Sequence, residues 1–330
     1  DDRQPIIPQN TEIENEEKYL LELALEKYNR LVEEYKKVKS KVNPLIVVQI
    51  PNKSEEKQAK IEEILEIEEV YTIVEQGVTR PLRVRLNNNY NAIIKYPNNV
   101  CGNQVLINEY VCSCIAEKIG IKIPVFGLCR LSKDLINSLD SEMEIDESNS
   151  GICFFSKVIS ASTPITFGTL SSMNIVEFDL AKLIVFDHLI CNRERHIGNM
   201  IVSIGKENYL YAIDHGTIFT ESVRYDKSSL EKEMTDERIL DKSILEKNKE
   251  MYTGLQKKFS CSYEDLKKQA GLIKEILDDT TMKKIKENVP NEWIKIIGSD
   301  IIKKLIEVIS CRRDRICEII DFIIDERGIK

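Results

Sequence analysis

The sequence predicts an α+β fold in two lobes, a small, mainly antiparallel β lobe with one helix and a large helical lobe. Three short runs with β-branched or alternating apolar residues lie between residues 70 and 96, which is the pattern of paired strands. A helix that is apolar on almost every side is predicted from Asn174 to Ile190, and amphipathic helices follow it. We therefore expect an N-terminal helical extension at 1–66, the small lobe at 67–158 and the large helical lobe at 159–330.

The composition is that of an ordinary globular protein. Of 330 residues, 42% are apolar and 31% charged, with a net charge of -8 from 47 basic and 55 acidic side chains. This balance argues against direct nucleic-acid binding, which depends on clustered Lys and Arg. No apolar run reaches the ~18–20 residues of a membrane span, and no secretion signal is evident, so we expect a cytoplasmic protein without a membrane partner. The nine cysteines form no C-x-x-C pair, which favours core packing over a zinc or disulfide framework.

The small lobe is predicted to contain five strands and one helix. The strands are Val70–Val74, Leu82–Leu86, Ala92–Tyr96, Ile121–Leu131 and Ile152–Ile159, and the helix is Gln104–Ile119. The three asparagines Asn87–Asn89 predict the turn between the second and third strands.

The residues best suited to catalysis or metal binding lie between positions 186 and 219, which include all three histidines of the chain. Glu194 stands five residues before Asn199, the separation between the proton-accepting carboxylate and the metal-binding amide in the catalytic loop of protein kinases. Two short strands around the polar link 205–208 predict a hairpin that holds Asn199 beside Asp214. An amide oxygen and a carboxylate suit Mg²⁺, which otherwise keeps water. The sequence therefore predicts Asn199 and Asp214 as metal ligands.

The motifs N-R-E-R-H-I-G-N at 192–199 and I-D-H-G at 213–216 resemble those of the HipA-like kinases, and phosphatidylinositol kinases carry a similar D-R-H-x-x-N. The resemblance runs from about residue 69 to the C-terminus and includes I-I-K-Y-P, I-N-E-Y and V-P-N-E-W. It implies a two-lobed protein-kinase-like fold that uses ATP and Mg²⁺. One position departs from the family pattern, because Glu194 stands where the family carries the catalytic Asp. His215 occupies a position that is usually apolar, so we expect it to pack.

The resemblance also implies roles for residues around this loop. Glu194 is expected to accept the substrate proton, with Arg195 and His196 as neighbouring catalytic candidates. Lys95 is expected to face the nucleotide phosphates and Glu109 to orient it. The alternatives without a catalytic role are that Lys95 is solvated at a strand edge and that Glu109 faces solvent.

Two backbone regions are expected to meet the nucleotide. Gly77 and Thr79 lie between the first two strands, where kinases place the loop that covers the phosphates, and an ordinary hairpin turn is the alternative. Near Ser156 and Val158 we expect backbone groups to bind the adenine edge, with Phe155 and Val158 in apolar contact with the base.

The N-terminal extension shows a different pattern. An amphipathic helix is predicted at 16–39, a short strand at 45–50 and a second helical segment at 55–66. Residues 16–66 resemble a fragment of the helicase subunit of type III restriction enzymes, but the chain has no G-x-x-x-x-G-K-[ST] loop, so no helicase function follows. The extension is either a fused remnant that docks a partner through its helix or a cap on the kinase lobe. A protein that begins near Ile67 is expected to fold.

Three functions fit these residues. The first is a Ser/Thr kinase that transfers the γ-phosphate of ATP to a protein substrate. The second is a nucleotide-binding pseudokinase that acts as an interaction module. Glu194 separates these two only in part, because its carboxylate lies about 1.5 Å further out than that of Asp and a misplacement of about 1 Å can cost ~100-fold in rate, which implies reduced rather than absent activity. The third is a lipid or small-molecule kinase.

Overall fold

A computed structural model describes residues 29–30, 33, 59–74, 78–205 and 207–327. The chain divides into two compact units, 1–56 and 57–330. The helix predicted at 16–39 and the strand at 45–50 fall almost wholly outside the described residues. The architecture below is that of the second unit.

Five strands close into a small barrel. They are β1 (Lys60–Ile73), β2 (Leu82–Leu86), β3 (Asn91–Lys95), β4 (Phe126–Leu131) and β5 (Gly151–Lys157). Their order around the barrel is β1-β2-β3-β5-β4, with β1 and β4 parallel and the other pairs antiparallel. Side chains that include Leu82, Val84 and Ile94 fill the interior. The predicted small β lobe is confirmed, with β2, β3 and β5 within two residues of their predicted bounds and β4 beginning five residues later than predicted.

The segment 60–66 corrects the sequence prediction, because it is a strand and not part of a helical extension. Its glutamates favour a helix by local propensity, but Leu65 and Ile67 point inward while their neighbours are exposed. Residues 60–66 pair with β4, and residues 67–73 pair with β2. Pairing with strands distant in the chain therefore overrides the local preference.

Helix α1 (Gln104–Ile119) lies between the barrel and the helical lobe, with its predicted bounds confirmed. It ends at Gly120, whose φ of 74° is the left-handed conformation that glycine adopts easily. The ring of Tyr110 meets Phe126 of β4 and Trp293 edge-on, at 6.5 and 5.8 Å between centroids. Trp293 is fully buried, as expected of a packing anchor, and its indole N–H donates to the carbonyl of Ile152 at 2.8 Å.

The large lobe is helical, with one small sheet. A short helix of the small lobe, α2 (Lys133–Asn137), lies between β4 and β5 in the chain. The helices of the large lobe are α3 (Phe167–Ser172), α4 (Leu180–Leu189), α5 (Lys227–Lys232), α6 (Asp236–Ile239), α7 (Ser243–Lys247), α8 (Lys249–Gln256), α9 (Tyr263–Ile276), α10 (Asp279–Glu287), α11 (Asn291–Ile297), α12 (Ser299–Asp314) and α13 (Ile316–Arg327). The sheet has the order β6-β7-β8, with β6 at Ser162–Pro164, β7 at Met200–Ser203 and β8 at Leu210–Ala212. Within the described ranges, every helix is too short or too polar to span a membrane.

The central helix α4 is buried on nearly every side, as its sequence predicts. It begins at Leu180 rather than Asn174, because the Asp179 side chain accepts a hydrogen bond from the Lys182 N–H at 2.9 Å and caps the first turn. Its C-terminal end leads directly into the loop that carries Glu194 and Asn199.

The strand at 60–66 generates a test of where the folded unit begins. A protein that starts at Lys57 keeps all of β1 and should melt like the full chain. One that starts at Ile67 loses the pairing with β4 and the buried Leu65, which should cost ~2–5 kcal/mol of unfolding free energy. Thermal denaturation followed by circular dichroism measures both. Equal melting of the two truncated proteins would show that residues 57–66 are dispensable.

Candidate active site

The β7–β8 hairpin brings the two predicted metal ligands to the same end of the small sheet. Met200 pairs with Ala212, so Asn199 and Asp214 leave the hairpin at the same edge. The Ile213 N–H donates to the Asn199 carbonyl at 3.0 Å, which continues the ladder beyond the strands. The hairpin predicted from the sequence is confirmed.

The loop before this hairpin is anchored by a fully buried ion pair. Arg195 donates to the Asp187 carboxylate from Nε at 3.1 Å and from a terminal nitrogen at 2.8 Å. Neither side chain has solvent exposure. Asp187 also accepts hydrogen bonds from Asn192 Nδ2 at 2.8 Å and from the Tyr252 hydroxyl at 3.0 Å. The carboxylate is therefore held by four donor atoms on three residues, as a buried charge requires.

The same arginine reaches both halves of the site. Arg195 donates to the Asn199 carbonyl at 3.3 Å and contacts His215 Nε2 at 3.1 Å. Burial, together with the Arg195 guanidinium, holds the pKa of His215 well below its ordinary value, so the ring is neutral and Nε2 accepts. The ring packs edge-on against Phe186, which agrees with the expected packing role. Because Arg195 is buried, it positions the loop rather than touching a substrate.

The backbone of the loop is held from a second direction by Asn248. Its side chain accepts from the Arg195 N–H at 2.9 Å and donates to the Asn192 carbonyl at 2.7 Å. The Asn192 side chain accepts from the Glu194 N–H at 3.0 Å. The main chain on both sides of Glu194 is thus fixed by amide side chains.

Lys95 is the centre of a second charged cluster. Its ammonium donates to Glu109 Oε1 and, at 2.6 Å, to Asp214 Oδ1. Burial opposes the charge on Lys95, but the carboxylates of Glu109 and Asp214 outweigh it and raise the pKa. Burial raises the pKa of Glu109, whereas the ammonium of Lys95 lowers the pKa of Asp214 to about 2. Lys95 is 9% exposed, so it is not a solvated edge lysine.

The segment after Asp214 is packed tightly against this cluster. Asp214 has a φ of 58°, a left-handed conformation that Asp tolerates better than most residues. The next N–H, of His215, donates to Glu109 Oε2 at 3.1 Å. A Cβ on Gly216 would lie 3.0 Å from the Lys95 nitrogen and from a methyl group of Val105, so a larger residue fits poorly there.

Glu194 and His196 are both exposed beside this segment. The Thr217 hydroxyl donates to Glu194 Oε2 at 2.6 Å. His196 Nδ1 accepts from the Gly198 N–H at 3.1 Å and caps the short 3₁₀ turn 197–199. Since that bond occupies the Nδ1 lone pair, a neutral His196 carries its proton on Nε2 and has no free basic nitrogen.

The predicted metal ligands suit a hard divalent cation. Asn199 Nδ2 donates to the Glu194 carbonyl at 2.9 Å, and within the described part of the chain its Oδ1 accepts no hydrogen bond. The Asp214 side chain is 49% exposed, with one oxygen bonded to Lys95. Oxygen donors of this kind are those that Mg²⁺ prefers.

Most of the nucleotide contacts predicted on or near the strands involve groups that are buried or already hydrogen-bonded. Gly77 lies outside the described residues, and Thr79 is buried in the turn between β1 and β2. The Val158 N–H already donates to the Asn91 carbonyl at 2.8 Å, so Val158 has no amide free for adenine. Ser156 pairs with residues of β3 and β4 in the barrel wall. Phe155 is fully buried in the barrel interior, so the predicted contact with adenine is wrong.

Sequence reasoning missed several residues that hold the site together. Asp187 is an acidic residue within an apolar helix, which the sequence shows. Asn108, whose side chain donates to the Gly216 carbonyl at 2.8 Å, is an amide among apolar residues of α1, which the sequence also shows. Thr217, Asn248 and Tyr252 left no such signal, because ordinary polar residues in connecting segments give no sign of their distant partners.

The buried ion pair generates a test of stability. Asp187→Ala leaves the Arg195 guanidinium buried without its counter-ion, which should cost ~3–5 kcal/mol of unfolding free energy. The matched control is Glu246→Ala, which removes an exposed partner of Lys242 and should cost less than ~0.5 kcal/mol. Urea denaturation measures both variants. Similar losses in the two would contradict the anchoring role of Asp187.

Comparisons with known proteins place these observations in a family. A profile described as HipA-like kinase matches residues 67–313. The crystal structure of the Helicobacter pylori proinflammatory kinase CtkA aligns with a TM-score of 0.50 at 14% identity, covering 81% of this chain and 100% of that one. A crystal structure of the Golgi casein kinase aligns with a TM-score of 0.45 at 12% identity, covering 83% and 76%. No curated protein matches in sequence. The profile covers most of the chain and includes both site motifs, so this protein belongs to the HipA-like kinase family and is a phosphotransferase.

Proposed function

We propose that the protein is a Ser/Thr protein kinase that uses MgATP. The observation that carries the proposal is the buried cation of Lys95, held by Glu109 on one side and by Asp214 on the other. A lysine aimed in this way binds nucleotide phosphates, with Glu109 keeping the ammonium in place. Phosphate oxygens would replace Asp214 on Lys95, which frees that carboxylate for the metal.

Asn199 and Asp214 would hold the Mg²⁺ ion. Bound there, the ion supplies positive charge that neutralises the phosphates of the nucleotide. The free Oδ1 of Asn199 and the half-exposed carboxylate of Asp214 support this assignment.

Glu194 takes the role of proton acceptor. It accepts the proton of a substrate hydroxyl while the hydroxyl oxygen bonds to the γ-phosphorus, and the bond from that phosphorus to the β–γ bridging oxygen breaks to release ADP. Its exposed position supports an acceptor as large as a polypeptide, since the carboxylate is reached from solvent. His196 is less suited, because its Nδ1 is engaged by Gly198.

The acceptor class is tested directly. The protein is incubated with γ-labelled MgATP and, separately, a degenerate Ser/Thr peptide library and phosphatidylinositol vesicles. Label on the peptides supports the proposal, whereas label on the lipid alone would replace it with a lipid kinase.

Nucleotide binding should depend on the charged cluster. Lys95→Met and Asp214→Ala should each reduce the thermal stabilisation by MgATP, with affinity lowered ~10-fold or more because a charge at the phosphates or the metal is lost. Lys133→Met is the control, since Lys133 is an exposed lysine of the same lobe that pairs with Glu147. Thermal-shift titration is compared with each variant's own unliganded melting point. Stabilisation equal to that of the parent in both variants would show that the site is misplaced.

Proton transfer should depend on Glu194 and not on His196. Glu194→Gln should lower the phosphorylation rate ~10²–10⁴-fold at saturating MgATP while nucleotide binding persists, because the general base is removed. His196→Ala should change it much less, and Glu246→Gln serves as an exposed-glutamate control. A larger loss in His196→Ala than in Glu194→Gln would assign the base to the histidine. No activity in the parent, with nucleotide still bound, would favour a pseudokinase.

A further inference from the structure

A hydrogen bond between Thr217 and Glu194 can orient the glutamate that stands where the family carries the catalytic Asp. A glutamate has one more rotatable bond, so its carboxylate visits more positions unless something holds it. The Thr217 hydroxyl donates to Glu194 Oε2 at 2.6 Å, a charge-assisted bond of the stronger kind. We propose that Thr217 is a positioning residue that fixes the Glu194 carboxylate for proton acceptance, an inference that rests on the proposed function.

The segment that carries Thr217 is anchored on its N-terminal side. The carbonyl of Gly216 accepts from Asn108 Nδ2 at 2.8 Å, and Asn108 Oδ1 accepts from the Tyr225 hydroxyl at 2.6 Å. Asn108 is fully buried in α1, so this link ties the segment to the same helix that carries Glu109.

The donor is equally held on its C-terminal side. The Phe219 N–H donates to the Ile190 carbonyl at 3.2 Å, and both Ile218 and Phe219 are buried. The backbone of Thr217 therefore lies between two anchored residues. A hydroxyl on such a segment suits a positioning role better than the role of a phosphate acceptor, which must move toward the nucleotide.

Glu194 needs such a side-chain contact because its backbone contacts do not reach the carboxylate. Its N–H is bonded to Asn192 and its carbonyl to Asn199, but the side chain is exposed. With Oε2 held by Thr217, Oε1 remains for the substrate hydroxyl. The threonine thus converts a long, exposed carboxylate into one with a defined orientation.

The first experiment removes the hydroxyl and keeps the branched shape. Thr217→Val should lower kcat ~10-fold, the factor that corresponds to the loss of one hydrogen bond to a charged group, with little change in the KM for MgATP. Thr217→Ser restores a hydroxyl and should keep most of the parent rate. Thr220→Val is the matched control in the same segment, because the Thr220 hydroxyl bonds to the Ser222 carbonyl outside the site. The assay uses γ-labelled MgATP with the peptide library and the protein itself as acceptors.

The second experiment measures the coupling between the two residues. In a Glu194→Asp protein the shorter side chain no longer reaches Thr217, so adding Thr217→Val should change kcat less than ~2-fold. A loss of ~10-fold in both backgrounds would show that Thr217 acts through something other than Glu194 and would overturn the inference. Mass spectrometry that finds phosphate on Thr217 in the parent would also overturn it, because Thr217 would then be an acceptor.

A structural readout keeps the inference testable without turnover. Crystal structures of the parent and of Thr217→Val should show an ordered Glu194 carboxylate in the first and a disordered or displaced one in the second. The same ordered position in both would refute the positioning role. An inactive parent with the expected difference in order would instead point to failure of the proposed function alone.

Discussion

The buried pair of Asp187 and Arg195 is the interaction on which the candidate site depends. Placing a guanidinium and a carboxylate away from water costs several kcal/mol per ion, and this cost is offset only when nearly every donor and acceptor is bonded. Arg195 meets that condition by contacting Asp187, the Asn199 carbonyl and His215 Nε2. The helix α4, the loop and the segment after Asp214 are therefore fixed relative to one another by one side chain.

Helix α1 makes the corresponding connection to the small lobe. Glu109 binds Lys95 on β3 and the His215 N–H, while Asn108 binds the Gly216 carbonyl. Two adjacent residues of one helix thus hold both Lys95 and the segment that follows Asp214. Any shift of this helix would move both together, so the spacing between Lys95 and Asp214 is set by the packing of α1 in the core.

The sequence predictions are accurate for contacts between residues close in the chain and less accurate for contacts between distant ones. Asn199 and Asp214 were placed together correctly because a short hairpin joins them, and turn residues with two apolar runs are sufficient to indicate it. The contact of Lys95 with Asp214, 119 residues apart, is not among the predictions, since the family resemblance implies only the pairing of Lys95 with Glu109. The adenine contact at Phe155 was wrong, because the direction in which a strand residue points depends on how the barrel closes.

The sequence by itself determined the bounds of β2 and α1 and the hairpin between Asn199 and Asp214, since each rests on periodicity or turn chemistry between near neighbours. The two-lobed fold class followed from the strand and helix patterns together with the family resemblance. The tertiary structure alone decided that residues 60–66 form a strand, that the Val158 N–H is occupied, and that Thr217 and Asn248 reach the loop that carries Glu194 and Arg195. These features depend on hydrogen bonds between segments that are separate in the chain. A local pattern carries no record of such partners, because their positions are set only when the barrel and the helices pack together.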